Sequence, residues 1–354
     1  MLNITDTNLL KATRSFGFES PFEINLISNG LINSTFKISD KFKTIILQKL
    51  NHYVFKQPED IVNNYLKIYD YLKNHTDYSI PAPVKTIDHD NYFRDEAMNC
   101  WRATCFIEGT FTPEIPKVPE EAYLAAISFG NFTKALSGFN ISELKTIIPK
   151  FHDLAFRYEQ FLEALKKGSV ERKEKAANEI EYLKIQKSPV DFYTGITTNP
   201  EYKLRVMHHD AKLSNILFDQ KTNKVICPVD FDTIQPGYFF SDLGDMIRSM
   251  ACTQSESSVD FSSIDIHPDF YKALMNGYKE AIKDEFTVAE KKNIHYSGLI
   301  MIYMQALRYM TDYLNNDIYY RIEYKEQNFD RAKNQLVLLK KLEGFLKREY
   351  QFSV

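Results

Sequence analysis

Residues 207–215 read Met-His-His-Asp-Ala-Lys-Leu-Ser-Asn, and after a polar turn residues 225–233 read Val-Ile-Cys-Pro-Val-Asp-Phe-Asp-Thr. In the first stretch His208, Asp210 and Asn215 stand as H-x-D-x-x-x-x-N; Asp230 follows near the end of the second. The pattern predicts a strand around Leu204–Met207, a loop carrying Asp210, a strand opened by Asn215, a turn over 219–224 and a returning strand over 225–231. Such a hairpin gathers three or four oxygen donors, the sparse carboxylate and amide set that magnesium completes with water and phosphate oxygens. Any one Asp or Asn in a turn is ordinary. The joint pattern points to phosphoryl transfer, in which Asp210 accepts the proton of the attacking hydroxyl while Asn215 and Asp230 hold the metal. His208 fits a buttress of the loop and also stands on the substrate side.

Upstream, Phe22–Ile27 alternates, Ser28-Asn29-Gly30 interrupts, and Leu31–Ile38 and Lys43–Leu50 resume the period of two, predicting three consecutive antiparallel strands. The first turn reads either as an ordinary Asn-Gly hairpin or as a lid in which Ser28, Asn29, Gly30 and Asn33 offer donors to phosphate oxygens. The third strand should carry a cation for the nucleotide phosphates, with Lys49 the candidate. Gln48 and Lys49 point to opposite faces, so only one of them looks toward the phosphates. Apolar residues from Pro58 to Asn74 recur at helical spacing, and Glu59 in the first turn suits the helix dipole or a pair with the strand lysine. A further strand, Trp101–Ile107, runs into Glu108-Gly109-Thr110. The adenine edge would meet backbone there, at Phe106, Ile107 and Glu108. Beyond it, helical patterns are expected over 119–137, 141–167 and 171–187 and again from 239 onward.

The fold class expected is α+β in two lobes, a nucleotide-binding lobe over 1–107 and a catalytic and acceptor-binding lobe over 108–354, with a hinge near 106–110. A chain of 354 residues that is 44% apolar buries a large core and is not disordered, and a formal charge of −3 gives no reason to expect nucleic acid or an anionic membrane as partner. No apolar run reaches a membrane span, and no basic-then-apolar leader opens the chain. Four Cys, at 100, 105, 227 and 252, form no C-x-x-C pair or zinc pattern and suit a reducing, cytoplasmic compartment.

Near the C-terminus Arg308, Asp312, Asp317, Tyr319 and Tyr320 offer charged donors, acceptors and flat apolar faces, the chemistry a small polar ring requires. Arg308 and Asp312 lie one turn apart and suit a surface ion pair equally well. His152 and Asp153 read as structural or rim residues. Asp242 and Asp245 read as helix-start residues that brace the catalytic loop.

Across nearly its whole length the chain resembles the phosphotransferases that include aminoglycoside phosphotransferases, choline kinases and N-acetylhexosamine 1-kinases. The resemblance is strongest to the last group, through Asn29-Gly-Leu-Ile-Asn-Ser-Thr-Phe36, Ile46-Leu-Gln-Lys-Leu-Asn51, Val229-Asp-Phe-Asp-Thr-Ile-Gln-Pro-Gly237 and Leu307-Arg-Tyr-Met-Thr-Asp-Tyr-Leu-Asn-Asn-Asp-Ile-Tyr319. It implies a protein-kinase-like fold, ATP with Mg2+, and transfer to the anomeric hydroxyl of N-acetylglucosamine or N-acetylgalactosamine. In those terms Asp210 is the base, Asn215 and Asp230 are the metal ligands, and Arg308 and Tyr319 contact the sugar. The cation register of the third strand falls on Gln48, with Lys49 beside it. Choline, an amino alcohol or an aminoglycoside is the alternative acceptor, and a catalytically silent kinase-like binding protein the third reading. Oligomeric state is not legible.

Overall fold

The alternation of the first hundred residues becomes a six-stranded antiparallel sheet. The computed structural model describes residues 6–27 and 32–352, so Ser28, Asn29 and Gly30 lie outside the described residues. Helix α1 (Thr7–Ser15) precedes strands β1 (Glu23–Ile27), β2 (Ser34–Ser39) and β3 (Thr44–Lys49). Helix α2 (Pro58–His75) follows, then β4 (Pro83–Val84), β5 (Phe93–Arg94) and β6 (Cys100–Cys105). The strand order is β1-β2-β3-β6-β4, with β5 also on β6. The three consecutive strands are thus antiparallel neighbours as expected.

The period of two sorts this sheet into two faces. Phe36, Ile38, Ile45, Leu47, Trp101 and Ala103 form one face, and Leu9, Ala12 and Phe16 of α1 close over it as a single apolar cluster. Helix α1 was not among the expected elements; Asp6 starts it by accepting the Asn8 N–H at 2.8 Å. The other face of β3 and β6 presents Gln48 and Arg102, which stand directly opposite each other. Helix α2 begins with Pro58 at its first turn and buries Ile61, Tyr65, Ile68 and Leu72 at helical spacing. Glu59 pairs with Arg94 of β5 rather than with a lysine of β3.

Two compact units divide the chain. One comprises residues 1–111, 138–149 and 217–235; the other comprises 112–137, 150–216 and 236–354. The first segment ends at Phe111, and the division is discontinuous. Strand β7 (Thr110–Phe111) pairs with the hairpin strand β9 (Ile216–Asp219), which in turn pairs with β10 (Val225–Pro228), so the hairpin joins the first unit. Residues 138–149 return to it as well. Asn64 of α2 exchanges hydrogen bonds with the main chain of Lys145, at 2.8 and 2.9 Å, and Gln235 accepts the amides of Ile147 and Ile148.

The second unit is mainly helical; its strand β8 (Arg205–Met207) pairs with β11 (Gln235–Gly237) in a two-stranded sheet. Its helices are α3 (Pro119–Ala135), α4 (Leu154–Lys167), α5 (Val170–Lys175), α6 (Ala177–Ile185), α7 (Ser188–Thr198) and α8 (Phe240–Met250). After them come α9 (Pro268–Ile282), α10 (Val288–Lys292), α11 (Tyr296–Leu314) and α12 (Gln327–Tyr350). Helix α11 is buried on nearly every side because α4, α8 and α12 pack around it. Helices α3 and α9 approach closely: a Cβ on Gly277 would lie 2.5 Å from the Tyr123 carbonyl, and one on Gly130 would lie 2.6 Å from Ala281 Cβ. Among the described residues no helix is long and apolar enough to cross a membrane.

The helix expected over 141–167 is corrected. A short 3-10 turn at Ile141–Glu143 comes first, and α4 begins only at Leu154. Pro149 disfavours helix for the residue before it, and Asp153 restarts the helix by capping the Phe156 N–H at 3.0 Å. The segment expected over 171–187 likewise divides at Ala176, and α7 was not expected as a separate helix.

Candidate active site

In the first unit the informative residues lie on the Gln48 face of the sheet. Lys49 is on the opposite face, its Nζ 5.9 Å from the centre of the Trp101 ring. Gln48 donates to Thr35 Oγ1 and accepts two hydrogen bonds from Arg102, from Nε at 3.1 Å and Nη2 at 2.8 Å. The same Nη2 pairs with Asp232, whose other carboxylate oxygen accepts from Asn33 Nδ2. Asn33 also accepts the Asn51 N–H at 2.9 Å, so its carboxamide is engaged at both its nitrogen and its oxygen. Tyr65 of α2 lies beneath the guanidinium, 5.9 Å from Cζ to ring centre, and packs on Phe231. Asp230 sits at φ 65°, ψ 59°, a left-handed conformation that costs an ordinary residue free energy. That turn sends the chain from β10 into the Phe231–Thr233 3-10 turn and leaves Asp230 partly exposed while Asp232 is buried.

The expected adenine edge has the backbone of a strand end. The Phe106 N–H donates to the Thr44 carbonyl at 3.2 Å, the Ile107 carbonyl accepts the Thr110 hydroxyl at 2.7 Å, and Gly109 turns the chain at φ 70°. Glu108 sits in that turn.

In the second unit β8 delivers the catalytic loop. Arg205 anchors the strand by forking the buried Glu290 carboxylate at 2.7 and 2.9 Å, a pair whose disruption costs about 3–5 kcal/mol. His208 is fully buried, edge-on to Phe129 and Phe132 with ring centres 5.1 and 6.4 Å away. That burial against Phe129 and Phe132 suits the buttressing place expected for His208 on the loop. His209 takes the left-handed conformation at φ 64°, and its Nδ1 lies 3.1 Å from Nδ1 of His152. Asp242 of α8 accepts both loop amides, from His208 at 3.0 Å and His209 at 2.8 Å. Burial pushes Asp242 up to about 7 against the pull of those two amides. Asp242 thus braces the loop as expected, though it lies inside α8 rather than capping it. Gly237 makes room for His209, since a Cβ there would fall 2.5 Å from its Cε1.

Asp210 follows on the loop, half-buried. Asn215 Nδ2 donates to its main-chain carbonyl and to its Oδ2, both at 2.9 Å, and Lys212 Nζ lies 3.0 Å from the same Oδ2. Burial works to raise the Asp210 pKa, but Lys212, His208 and Asn215 outweigh it and hold the carboxyl below its ordinary range. The result is an ionised carboxylate fixed in one orientation. With its amide nitrogen engaged on Asp210, Asn215 keeps its carboxamide oxygen as an acceptor. Among the described residues no three His, Cys, Asp or Glu side chains gather as a metal cluster. Asn215 in this unit and Asp230 in the other each carry a hard oxygen donor of the kind magnesium takes, with phosphate and water completing its shell.

Toward the C-terminus Arg308 and Asp312 do not pair. Asp312 accepts the amides of Tyr319 and Tyr320 at 2.8 and 2.9 Å and a hydrogen bond from Asn328, closing the turn after α11. Among the described residues Arg308 makes no ion pair with a carboxylate. It donates to Gln305 and lies 5.4, 6.0 and 5.6 Å from the ring centres of Phe151, Tyr319 and Tyr320. Tyr319 is 65% exposed. Nearby Arg157 is pushed down to about 10 by burial and by the charge of Arg308. Sequence reading passed over Lys212 and Arg102. Lys212 was visible inside the catalytic stretch; Arg102, in a strand beside Trp101, carried no local signal.

The phosphotransferase enzyme family model matches residues 23–284. Among solved structures the chain is similar to a microcompartment-associated aminopropanol kinase (TM-score 0.61, 14% identity, covering 96% of this chain and 97% of that one). It is also similar to an aminoglycoside phosphotransferase from Alicyclobacillus acidocaldarius (0.59, 12%, 97% and 95%) and a choline kinase from Cryptosporidium parvum (0.53, 15%, 94% and 92%). At these identities the solved structures establish the kinase-like α+β fold, and the matched segment contains both the Asp210 loop and the Asp230 turn. The chain belongs to the phosphotransferase enzyme family.

Proposed function

We propose that the protein is an ATP-dependent kinase that phosphorylates the anomeric hydroxyl of an N-acetylhexosamine. Asp210 accepts the hydroxyl proton, Asn215 and Asp230 each offer an oxygen to magnesium, and Lys212 holds positive charge beside the base. The metal, when bound, neutralises charge on the phosphates. The backbone of Phe106, Ile107 and Glu108 receives the adenine edge, and Ser28, Asn29 and Gly30 offer donors to the phosphates.

The observation that carries the phosphotransferase chemistry is the ionised Asp210, oriented by Asn215 and flanked by Lys212 at 3.0 Å. For the acceptor, support comes from Arg308 and its aromatic neighbours. Phe151, Tyr319 and Tyr320 offer flat faces, and Arg308 offers donors to ring oxygens or an acetamido carbonyl. A cationic amino alcohol, for which several structural neighbours are named, is the competing acceptor and needs a free carboxylate or an unpaired aromatic cage. Here Asp245 and Glu256 are paired with Arg248, Asp317 with Arg172, and Asp312 with the turn amides, while Arg308 adds positive charge.

The test is ATP- and magnesium-dependent phosphorylation of both N-acetylhexosamines, their 1-deoxy analogues, plain hexoses, choline and an aminoglycoside. Phosphate on an N-acetylhexosamine and none on its 1-deoxy analogue is the expected result. Turnover of choline or the aminoglycoside alone overturns the acceptor while leaving the kinase chemistry standing.

A further inference from the structure

The strand expected to carry the phosphate-binding cation presents a neutral glutamine on the relevant face. Lys49, its neighbour, points to the α1 side beside Trp101. A charge does stand on the Gln48 face, one strand over. Arg102 of β6 is the direct cross-strand partner of Gln48, which places the two side chains at about 4.5–5.5 Å between Cβ atoms. We propose, resting on the kinase reading above, that Arg102 is the cation that holds the nucleotide phosphates in this chain, and that Gln48 and Asp232 aim it.

Three features support the assignment. A guanidinium has five N–H donors in a rigid fork, and here only one side of the fork is engaged: Nε and Nη2 go to Gln48, and Nη2 also goes to Asp232. Nη1 is buried and has no hydrogen-bond partner among the described residues, although the side chain as a whole is only 7% exposed. Leaving such a donor unsatisfied costs free energy, which an anionic oxygen would offset. Second, Gln48 explains itself in this arrangement. A lysine in its place would repel Arg102, whereas the amide oxygen accepts from it twice. Third, Asp232 ties the guanidinium to the turn that carries Asp230, two residues earlier, so the phosphate cation and a proposed metal ligand are set by one short segment.

Arg102 is a binding residue on this account, and Gln48 and Asp232 are positioning residues. The experiment is calorimetric titration of ADP and adenosine into the wild-type protein and into R102Q, K49Q and the double variant Q48K/R102Q. R102Q is expected to weaken ADP about thirtyfold while adenosine stays within about threefold, because only the phosphates lose a charge-assisted bond. Retained adenosine binding also shows that the variant is folded. K49Q is expected to bind both as the wild type does. Q48K/R102Q, which restores a cation to the same face, is expected to recover about tenfold in ADP affinity. ADP binding unchanged in R102Q, a loss of ADP in K49Q instead, or a double variant that binds adenosine but recovers nothing for ADP overturns the assignment. Wild-type protein that binds neither ligand overturns the kinase reading itself, a result distinct from wild-type affinity that is indifferent to Arg102.

Discussion

Asp210 is held ionised by neighbours of opposite charge, which suits a base that must accept a proton during phosphoryl transfer. Replacing it with Asn keeps its shape and removes its basicity. D210N should therefore lower kcat by about 10²–10⁴-fold with little change in ADP affinity, as steady-state assay beside calorimetry would show. His152 carries a different pH signature. Burial, followed by the charges of His209 and Arg308, holds its pKa well below the ordinary imidazole value of 6.5. As pH falls below about 6.5 the unfolded chain takes up this proton first, so stability present above that pH is lost below it, by up to about 1.4 kcal/mol per pH unit. The loss of stability between pH 7.5 and 5.5 in urea melts should be smaller in H152Q than in the wild type; equal losses would show that His152 is not held neutral. The contact between Asp210 and Asn215 spans only five residues, so it lies within reach of a spacing argument. Arg102 was not legible, because its partner Asp232 lies 130 residues away and only the folded chain brings the two together.

At the scale of elements, the strands and most helix positions followed from periodicity, and the misses have local causes. The single helix drawn over 141–167 ran through Pro149, and α1 and α7 are short segments outside the strong patterns. The hairpin β9–β10 was expected where it lies, but its membership of the first unit depends on pairing with β7, which no local pattern announces. One glycine position connects packing to catalysis. G237A would drive a methyl group into the His209 ring, destabilising the fold by about 1–3 kcal/mol and lowering kcat at least tenfold by displacing the loop that carries Asp210. Gly195, in the middle of α7 with no atom within 4 Å of an added Cβ, is the control: G195A should raise stability by about 0.5–1 kcal/mol and leave kcat unchanged. Chemical denaturation and initial rates on the two variants check both statements, and equal rates in G237A and wild type would remove His209 from the account.

For the whole molecule, the order of patterns together with the resemblance to the phosphotransferases implied an α+β kinase-like chain, and the family match and solved structures bear that out. Where the compact units divide was only partly legible, since segments 138–149 and 217–235 return to the first unit through contacts distant in sequence. If that fold binds nucleotide, ligand must stabilise it by mass action. At a hundredfold excess over Kd, ADP with magnesium should raise unfolding free energy by about 2.7 kcal/mol. The central claim, however, is transfer of a phosphoryl group by Asp210, and one measurement bears on it directly: single-turnover transfer of labelled γ-phosphate from ATP to N-acetylglucosamine and N-acetylgalactosamine by wild type and D210N at matched nucleotide occupancy. The account predicts labelled sugar 1-phosphate from the wild type and a rate at least a hundredfold lower from D210N. Equal rates from the two proteins would contradict it.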